Sequence, residues 1–101
     1  MLVLTRNENK FKLGQVVATS GVYEMVGEDI KFNQFVTNSF TRHCNGDWGD
    51  LDKEDKRAND FALRNGDDRL FSKYNYKDGI SIYIITEWDR SVTTILFPDE
   101  Y

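Results

Sequence analysis

The chain has 101 residues, 40% of them hydrophobic and 14% aromatic, which is enough apolar side chain for one folded domain over 1–101. The formal net charge of −4 argues against a general binder of nucleic acids or anionic membranes, because such proteins usually carry a basic face. Cys44 is the single cysteine, so no internal disulfide can form, and a reduced, cytoplasmic setting is expected. We expect no signal peptide, because Arg6 and Glu8 interrupt the apolar start, and no apolar stretch reaches membrane-spanning length.

The first third of the chain predicts two short strands and one short helix. Residues 1–4 are read as an edge strand and residues 13–18 as a second strand, since both runs are apolar and partly β-branched. Thr19 and Ser20 are favourable N-cap residues for a helix, and Gly27 is expected to end it.

Two longer helices are predicted in the middle of the chain. The first covers 31–43 and ends at His43, where a positive charge would favour the helix dipole. The second covers 53–64, with Asp52 as its N-cap and Asp55 as a capping-box partner. The apolar residues of the first helix share one helical face and are Phe32, Phe35, Val36 and Phe40. The residues of the second helix expected to face inward are Ala58, Phe61, Ala62 and Leu63.

The last third predicts three antiparallel strands. Residues 69–76 alternate as a strand does, and residues 80–97 contain two β-branched runs that flank a polar connection and so indicate a hairpin. Neither face of the first hairpin strand is wholly polar, so we expect it to be central and covered on both sides. Helices followed by antiparallel strands predict an α+β fold, with two to three N-terminal helices packed on a C-terminal antiparallel meander of three or more strands.

Two blocks of the sequence are distinctive: GDWGD at 46–50 and TEWDRSVTT at 86–94. Together with LGQVVATSG at 13–21, the segments 46–76 and 82–101 resemble a widespread family of small bacterial "plasmid-related" proteins, often found on plasmids and other mobile elements. The resemblance covers nearly all of the chain from Leu13 onward. That family has no settled activity, so no catalytic role is carried over. What the resemblance implies is a context, that of an accessory protein of mobile DNA.

The region 45–60 is acidic, with six carboxylates against three cationic side chains. Its spacing does not match an EF-hand loop, and one His with one Cys is too few for zinc, so no metal or cofactor is expected. Loop turns and a helix cap would explain the acids, and Trp48 is favoured as a buried plug that fixes this loop. Alternatively, a compact acidic domain can occupy a basic groove that normally holds nucleic-acid phosphates. The candidate contact residues are Asp47, Trp48, Asp50, Asp52, Asp55, Trp88, Asp89 and Arg90.

The residues 87–91 connect the two strands of the hairpin, and we call them the hairpin tip. Asp and Ser in such a connection suit turn chemistry, whereas Trp88 and Arg90 are residue types enriched at binding hot spots. Both interpretations stay open at this point.

Together these observations favour a small, acidic, non-enzymatic protein of a mobile element. It is expected to bind and antagonise a host defence complex, of the anti-CRISPR or anti-restriction type, by protein–protein contact and without contacting nucleic acid or membrane directly. The alternative is a small nuclease or toxin-like ribonuclease in which His43, Glu87 and Arg90 act on phosphate. That alternative requires His43 and the hairpin tip to meet in space.

Overall fold

The computed structural model describes residues 9–101, so the strand expected at 1–4 lies outside the described residues. The elements, in chain order, are β1 (Gln15–Ala18), α1 (Ser20–Glu28), α2 (Ile30–Cys44), α3 (Lys53–Asn65), β2 (Leu70–Asn75), β3 (Ser81–Thr86) and β4 (Val92–Leu96), followed by a 3-10 helical turn at Pro98–Glu100. The α+β prediction is confirmed, because three helices precede a C-terminal meander of three strands.

Local capping determines where the helices begin. The side chains of Thr19, Asp29 and Asp52 accept hydrogen bonds from backbone N–H groups in the first turns of α1, α2 and α3. Gly66 ends α3 in the left-handed conformation, at φ 68°. The expected end of α1 at Gly27 is one residue early, since the helix continues to Glu28. No helix between residues 9 and 101 combines the length and the apolar composition needed to cross a bilayer.

The four strands form one sheet in the order β1-β4-β3-β2. β2 pairs with β3 and β3 with β4 in antiparallel fashion, as predicted for the meander. β1, however, lies parallel to β4, so the sheet is mixed and the prediction of an antiparallel sheet is corrected. The reason is the long connection: three helices separate β1 from the meander, and such a crossover can return the chain in the same direction.

The main core lies between one face of the sheet and the helices α1 and α2. Its buried members are Val22, Phe32, Val36, Tyr74, Ile82, Ile84 and Ile95, and the half-buried Phe35 and Phe40 pack against them. This confirms the predicted apolar stripe of α2. A smaller cluster of Trp48, Ala62 and Leu70 lies between α3 and β2. Phe61 is 58% exposed and Ala58 is exposed as well, so the prediction that these two residues face inward is wrong: α3 packs beside β2 and buries a narrower stripe around Ala62.

The opposite face of the sheet carries no helix within residues 9–101. Instead, the ring of Tyr101 packs edge-on against Phe71 and Tyr83, with centroid distances of 6.2 and 6.1 Å. β3 is central, as predicted. The helices cover the face of Ile82 and Ile84, and on the other face Ile85 is only 4% exposed, so β3 is covered on both sides, as expected.

Candidate functional site

The GDWGD block, residues 46–50, runs alongside β2 and pairs with its free edge. The N–H of Lys73 donates to the carbonyl of Trp48 at 3.3 Å, and the N–H of Asp50 donates to the carbonyl of Lys73 at 2.7 Å. The carboxylate of Asp50 also accepts from the N–H of Asn75 at 2.9 Å. The block thus occupies backbone groups that an edge strand would otherwise expose.

Gly49 and Asp47 allow the GDWGD block to lie directly against β2. Gly49 has φ +77°, and a Cβ there would overlap the carbonyl oxygen of Lys73. Asp47 accepts two hydrogen bonds from the Arg42 guanidinium, at 2.8 and 3.2 Å, and one from the N–H of Gly49 at 3.1 Å. Arg42 holds the pKa of the Asp47 carboxyl below its ordinary value. Both residues therefore define the loop conformation.

Trp48 is the buried plug favoured from the sequence. Its side chain is 3% exposed, and its indole N–H donates to the carboxylate of Asp60 at 2.8 Å. Its ring packs on Phe11 and His43, with centroid distances of 6.2 and 5.7 Å. A partner cannot reach this side chain without opening the loop.

Asn59 on α3 forms hydrogen bonds with the β2 edge next to the GDWGD block. The only sign of this role in the sequence is a polar residue three positions before the inward-facing Ala62. The side-chain amide donates to the carbonyl of Phe71 at 2.7 Å and accepts from its N–H at 2.9 Å. Asn59 is 5% exposed, so in the folded protein its amide satisfies both backbone groups of Phe71 in place of water. The amide takes the place of a neighbouring strand residue.

We expect Asn59→Ala to lower the free energy of unfolding by about 2 kcal/mol, the usual cost of leaving buried donors and acceptors unpaired. Asn38→Ala on the exposed side of α2 is the matched control and should change it by less than about 0.5 kcal/mol. Urea unfolding of the two variants measures the difference. Equal midpoints would contradict a structural role for the Asn59 amide.

His43 lies at the centre of a buried chain of hydroxyl groups. The Thr93 hydroxyl donates to the carbonyl of Leu13 at 2.8 Å and so accepts from Thr86 at 2.7 Å. Thr86 then accepts from His43 Nε2–H at 2.9 Å, and Ser72 donates to His43 Nδ1 at 2.5 Å. Every side-chain polar atom in this row of hydroxyl groups and the imidazole has a hydrogen-bond partner. The imidazole is neutral, with its proton on Nε2.

Burial determines the chemistry of His43 and Cys44. His43 is fully buried, and desolvation lowers the pKa of its imidazole to about 3. The expected positive charge at the end of α2 is therefore wrong. Cys44 is 4% exposed, and burial raises the pKa of its thiol to about 11, so the thiolate nucleophile is scarce at neutral pH.

The structure does not bring His43, Glu87 and Arg90 together at one surface. Thr86 points toward His43, and strand alternation directs the next side chain, Glu87, to the opposite face of the sheet. Arg90 turns away from the imidazole and donates to backbone carbonyls. These carbonyls belong to Asp68 (2.7 Å), Glu87 (3.1 Å), Trp88 (3.3 Å) and Ala62 (3.5 Å).

The hairpin tip is consequently a braced turn that displays one aromatic ring. Arg90 has φ +59° and ties the tip to the end of α3. Asp89 accepts from both the N–H and the hydroxyl of Ser91, and the Ser91 hydroxyl lowers the pKa of the Asp89 carboxyl. Trp88 is 63% exposed. Asp89 and Arg90 thus serve turn chemistry, while Trp88 is free to contact a partner.

A cavity of about 320 Å³ lies between α3 and β2 on the outside of the molecule. We call it the acidic groove; its lining residues are Leu51, Asp55, Ala58, Asn59, Asp68, Arg69 and Phe71. The guanidinium of Arg69 donates to the Tyr101 hydroxyl and lies 5.6 Å from the ring centroids of both Phe71 and Tyr101. Within residues 9–101 it forms no ion pair with Asp55 or Asp68. Two carboxylates therefore face the groove without a neutralising cation from Arg69.

The sequence segment that contributes most of the groove lining is also the most acidic part of the chain. Residues 47–68 hold eight of the 17 carboxylates and four of the 13 Lys and Arg side chains. The rest of the chain holds nine carboxylates and nine Lys and Arg side chains. The formal charge of −4 therefore resides in this segment. Asp68 connects the groove to the hairpin tip, since its carbonyl accepts from Arg90.

The eight predicted contact residues divide into two groups. Asp55 lines the acidic groove and Trp88 lies exposed on the hairpin tip. The others make the intramolecular contacts described above or cap α3, and they are Asp47, Trp48, Asp50, Asp52, Asp89 and Arg90. Asp68 and Arg69 also line the groove, although no pattern in the sequence predicted them as site residues.

Comparison of the chain with models of protein families, with curated proteins and with solved structures found no match in any of the three. Within residues 9–101 no group of three His, Cys, Asp or Glu side chains is placed to hold a metal ion. Function has therefore to be inferred from the geometry of the groove and the hairpin tip.

Proposed function

We propose that this chain is a non-enzymatic binding protein that attaches to a basic surface of another protein through the acidic groove and Trp88. The observation that carries the proposal is the excess of four carboxylates over cations in residues 47–68, a segment from which Asp55 and Asp68 line an open cavity. Concentrated charge of one sign steers a partner of opposite charge and aligns it on encounter.

The lining of the acidic groove suits a lysine or arginine side chain of the partner. Leu51, Ala58 and Phe71 offer an apolar surface for the methylene stem, while Asp55 and Asp68 can accept hydrogen bonds from its charged head. Stacking of the Arg69 guanidinium on Phe71 also holds one end of the groove in place. A basic side chain would thus find both of the surfaces that it needs.

Trp88 supplies the apolar part of the contact. Because Arg90 and Asp89 brace the hairpin tip, the backbone that carries Trp88 loses little conformational freedom on binding. A rigid aromatic side chain beside a charged rim is a common arrangement of binding hot spots.

The partner that we propose is a host defence complex of the CRISPR-effector or restriction type, met in the cytoplasm. Two considerations support it: the resemblance to proteins of mobile elements, and the acidic segment 47–68, which complements grooves built to hold phosphates. Contact would be with the protein of that complex and not with its nucleic acid.

The test is capture of such complexes on the tagged chain, compared with the double variant Asp55→Lys/Asp68→Lys. Both carboxylates are exposed groove residues, whereas Asp50 is unsuitable because it closes the β2 edge. We expect the variant to bind roughly tenfold more weakly or worse, with a flatter dependence on salt. Mass spectrometry of the captured proteins names the partner.

The matched control for this experiment is Glu24→Lys/Glu28→Lys, which changes the charge equally on the exposed side of α1, away from the groove. It should retain most of the binding. Equal loss in both double variants would show that only the net charge matters, and unchanged binding in the groove variant would refute the proposed site.

The nuclease alternative has less support in the geometry, because His43 is buried and Arg90 is engaged with backbone carbonyls. Incubating the purified chain with RNA and DNA tests it directly. Cleavage that Glu87→Ala abolishes would favour the nuclease over the binding protein.

A further inference from the structure

The two edges of the sheet differ in their hydrogen bonding. At the β2 edge, Asn59, Trp48 and Asp50 occupy backbone groups of alternate residues. At the β1 edge, no strand and no loop takes this role within residues 9–101, where β1 is the last strand of the sheet. Natural proteins usually blunt such an edge with charge, proline, a bulge or a covering segment. The sequence QVVA of β1 contains neither charge nor proline.

The register of β1 shows which backbone groups are free. Gln15 N–H donates to Ser91 O, and Thr19 N–H donates to Ile95 O, both at 3.0 Å, so the odd-numbered residues face β4. Backbone groups alternate in direction along a strand, and those of Val16 and Ala18 therefore point outward from the sheet. The Val16 side chain is 45% exposed, and no segment of residues 9–101 pairs with the edge at this position.

We propose that β1 pairs antiparallel with β1 of a second copy of this chain. The outward N–H and C=O of Val16 pair with those of Ala18 in the second copy, and those of Ala18 pair with Val16 of the second copy. These two pairs form four backbone hydrogen bonds about a two-fold axis. Val17 then faces Val17 of the second copy as the pair without hydrogen bonds, where side chains approach most closely. The two sheets become one sheet of eight strands.

The second copy suits this edge for two reasons. The pattern of free groups is self-complementary, so the same four residues supply both sides of the pairing. The charged segment 47–68 lies toward the β2 edge, three strand spacings of about 4.8 Å away from β1, so the two copies bring little like charge together. Both acidic grooves remain free at the far ends of the dimer.

A strand of four residues buries less surface than a standard interface. The dimer is therefore reversible, and its population rises with protein concentration. Sedimentation of the full chain from micromolar to millimolar concentration should show a rising weight-average mass that approaches two chains. A single chain at every concentration would overturn the proposal.

The variant Val17→Cys tests the register. Antiparallel pairing about position 17 places the Cα atoms of the two introduced cysteines about 4.5 Å apart, within the range of a disulfide. Val16→Cys is the matched control, because the two residues 16 are offset along the strands and lie more than about 7 Å apart. In oxidised glutathione, Val17→Cys should form a cross-linked dimer and Val16→Cys should not. Since Cys44 is buried, it should not contribute to cross-linking.

Val16→Pro tests the hydrogen bonds. Proline removes the outward N–H of residue 16 and leaves the ladder to β4 in place, since Val16 N–H does not face β4. We expect Val16→Pro to sediment as a single chain with near-native circular dichroism, while Val16→Ala still dimerises. Equal cross-linking at positions 16 and 17, or a dimer that survives Val16→Pro, would overturn the proposed pairing.

Discussion

Replacing Gly49 with alanine is expected to lower the free energy of unfolding by about 4 kcal/mol, one of the largest single-residue effects in this chain. An added Cβ would lie 2.7 Å from the Tyr74 ring and would overlap the carbonyl oxygen of Lys73. Both neighbours belong to a strand paired within the sheet and cannot retreat, so the loop would have to leave the edge of β2. The hydrogen bonds of Lys73 with Trp48 and Asp50 would be lost with it.

Gly66→Ala is the control that measures the cost of a positive φ alone, without the steric overlap with β2 that Gly49→Ala introduces. Gly66 also has a positive φ, +68°, but no atom lies within 4 Å of a Cβ built there. Its replacement should therefore cost only about 1 kcal/mol. Urea unfolding of the two variants measures both values. Equal losses would mean that the loop does not press against β2.

Acid is expected to destabilise the protein through His43, by about 2 kcal/mol between pH 7 and pH 5. The folded imidazole has a pKa of about 3, below its ordinary value of 6.5, so the unfolded chain binds more protons across this interval. Stability is therefore full above pH 6.5 and falls as the pH decreases toward 3. The carboxyl of Asp47, whose pKa Arg42 lowers from 3.8, loses its contribution only at lower pH.

His43→Gln provides the control for this pH dependence. The amide can still donate and accept within the hydroxyl chain, but it does not titrate. Urea unfolding at pH 7, 6 and 5 should show a steep decrease for the original chain and a much flatter one for the variant, whatever the absolute stability of the variant. A flat profile for the original chain would show that His43 is accessible to protons in the folded state.

The position of the GDWGD block affects how any mutational survey of this protein should be interpreted. Asp47, Trp48 and Gly49 hold the loop on β2, so their replacement would impair binding by unfolding the edge of the sheet. Asp55 and Trp88 are the predicted contact residues whose exposure allows a change in binding to be measured on a folded chain. A survey should therefore report stability and binding for every variant.

Most of the secondary structure could be predicted because its causes are local. Thr19 and Asp52 cap the helices that follow them, Gly66 ends α3, and alternating β-branched residues form the hairpin of β3 and β4. The apolar spacing of α2 also identified its buried face, including Phe32. Each of these patterns is complete within a short stretch of sequence.

The sequence by itself therefore determined the order of helices and strands, the α+β class and the N-caps of α1 and α3, and it favoured the burial of Trp48. Only the tertiary structure decided that β1 lies parallel to β4, that His43 is buried and neutral, and that Asp55 and Asp68 share one groove. Pairing register and burial depend on residues far apart in the chain, and no local spacing encodes which of them meet. For this protein, the candidate site consists of such long-range neighbours.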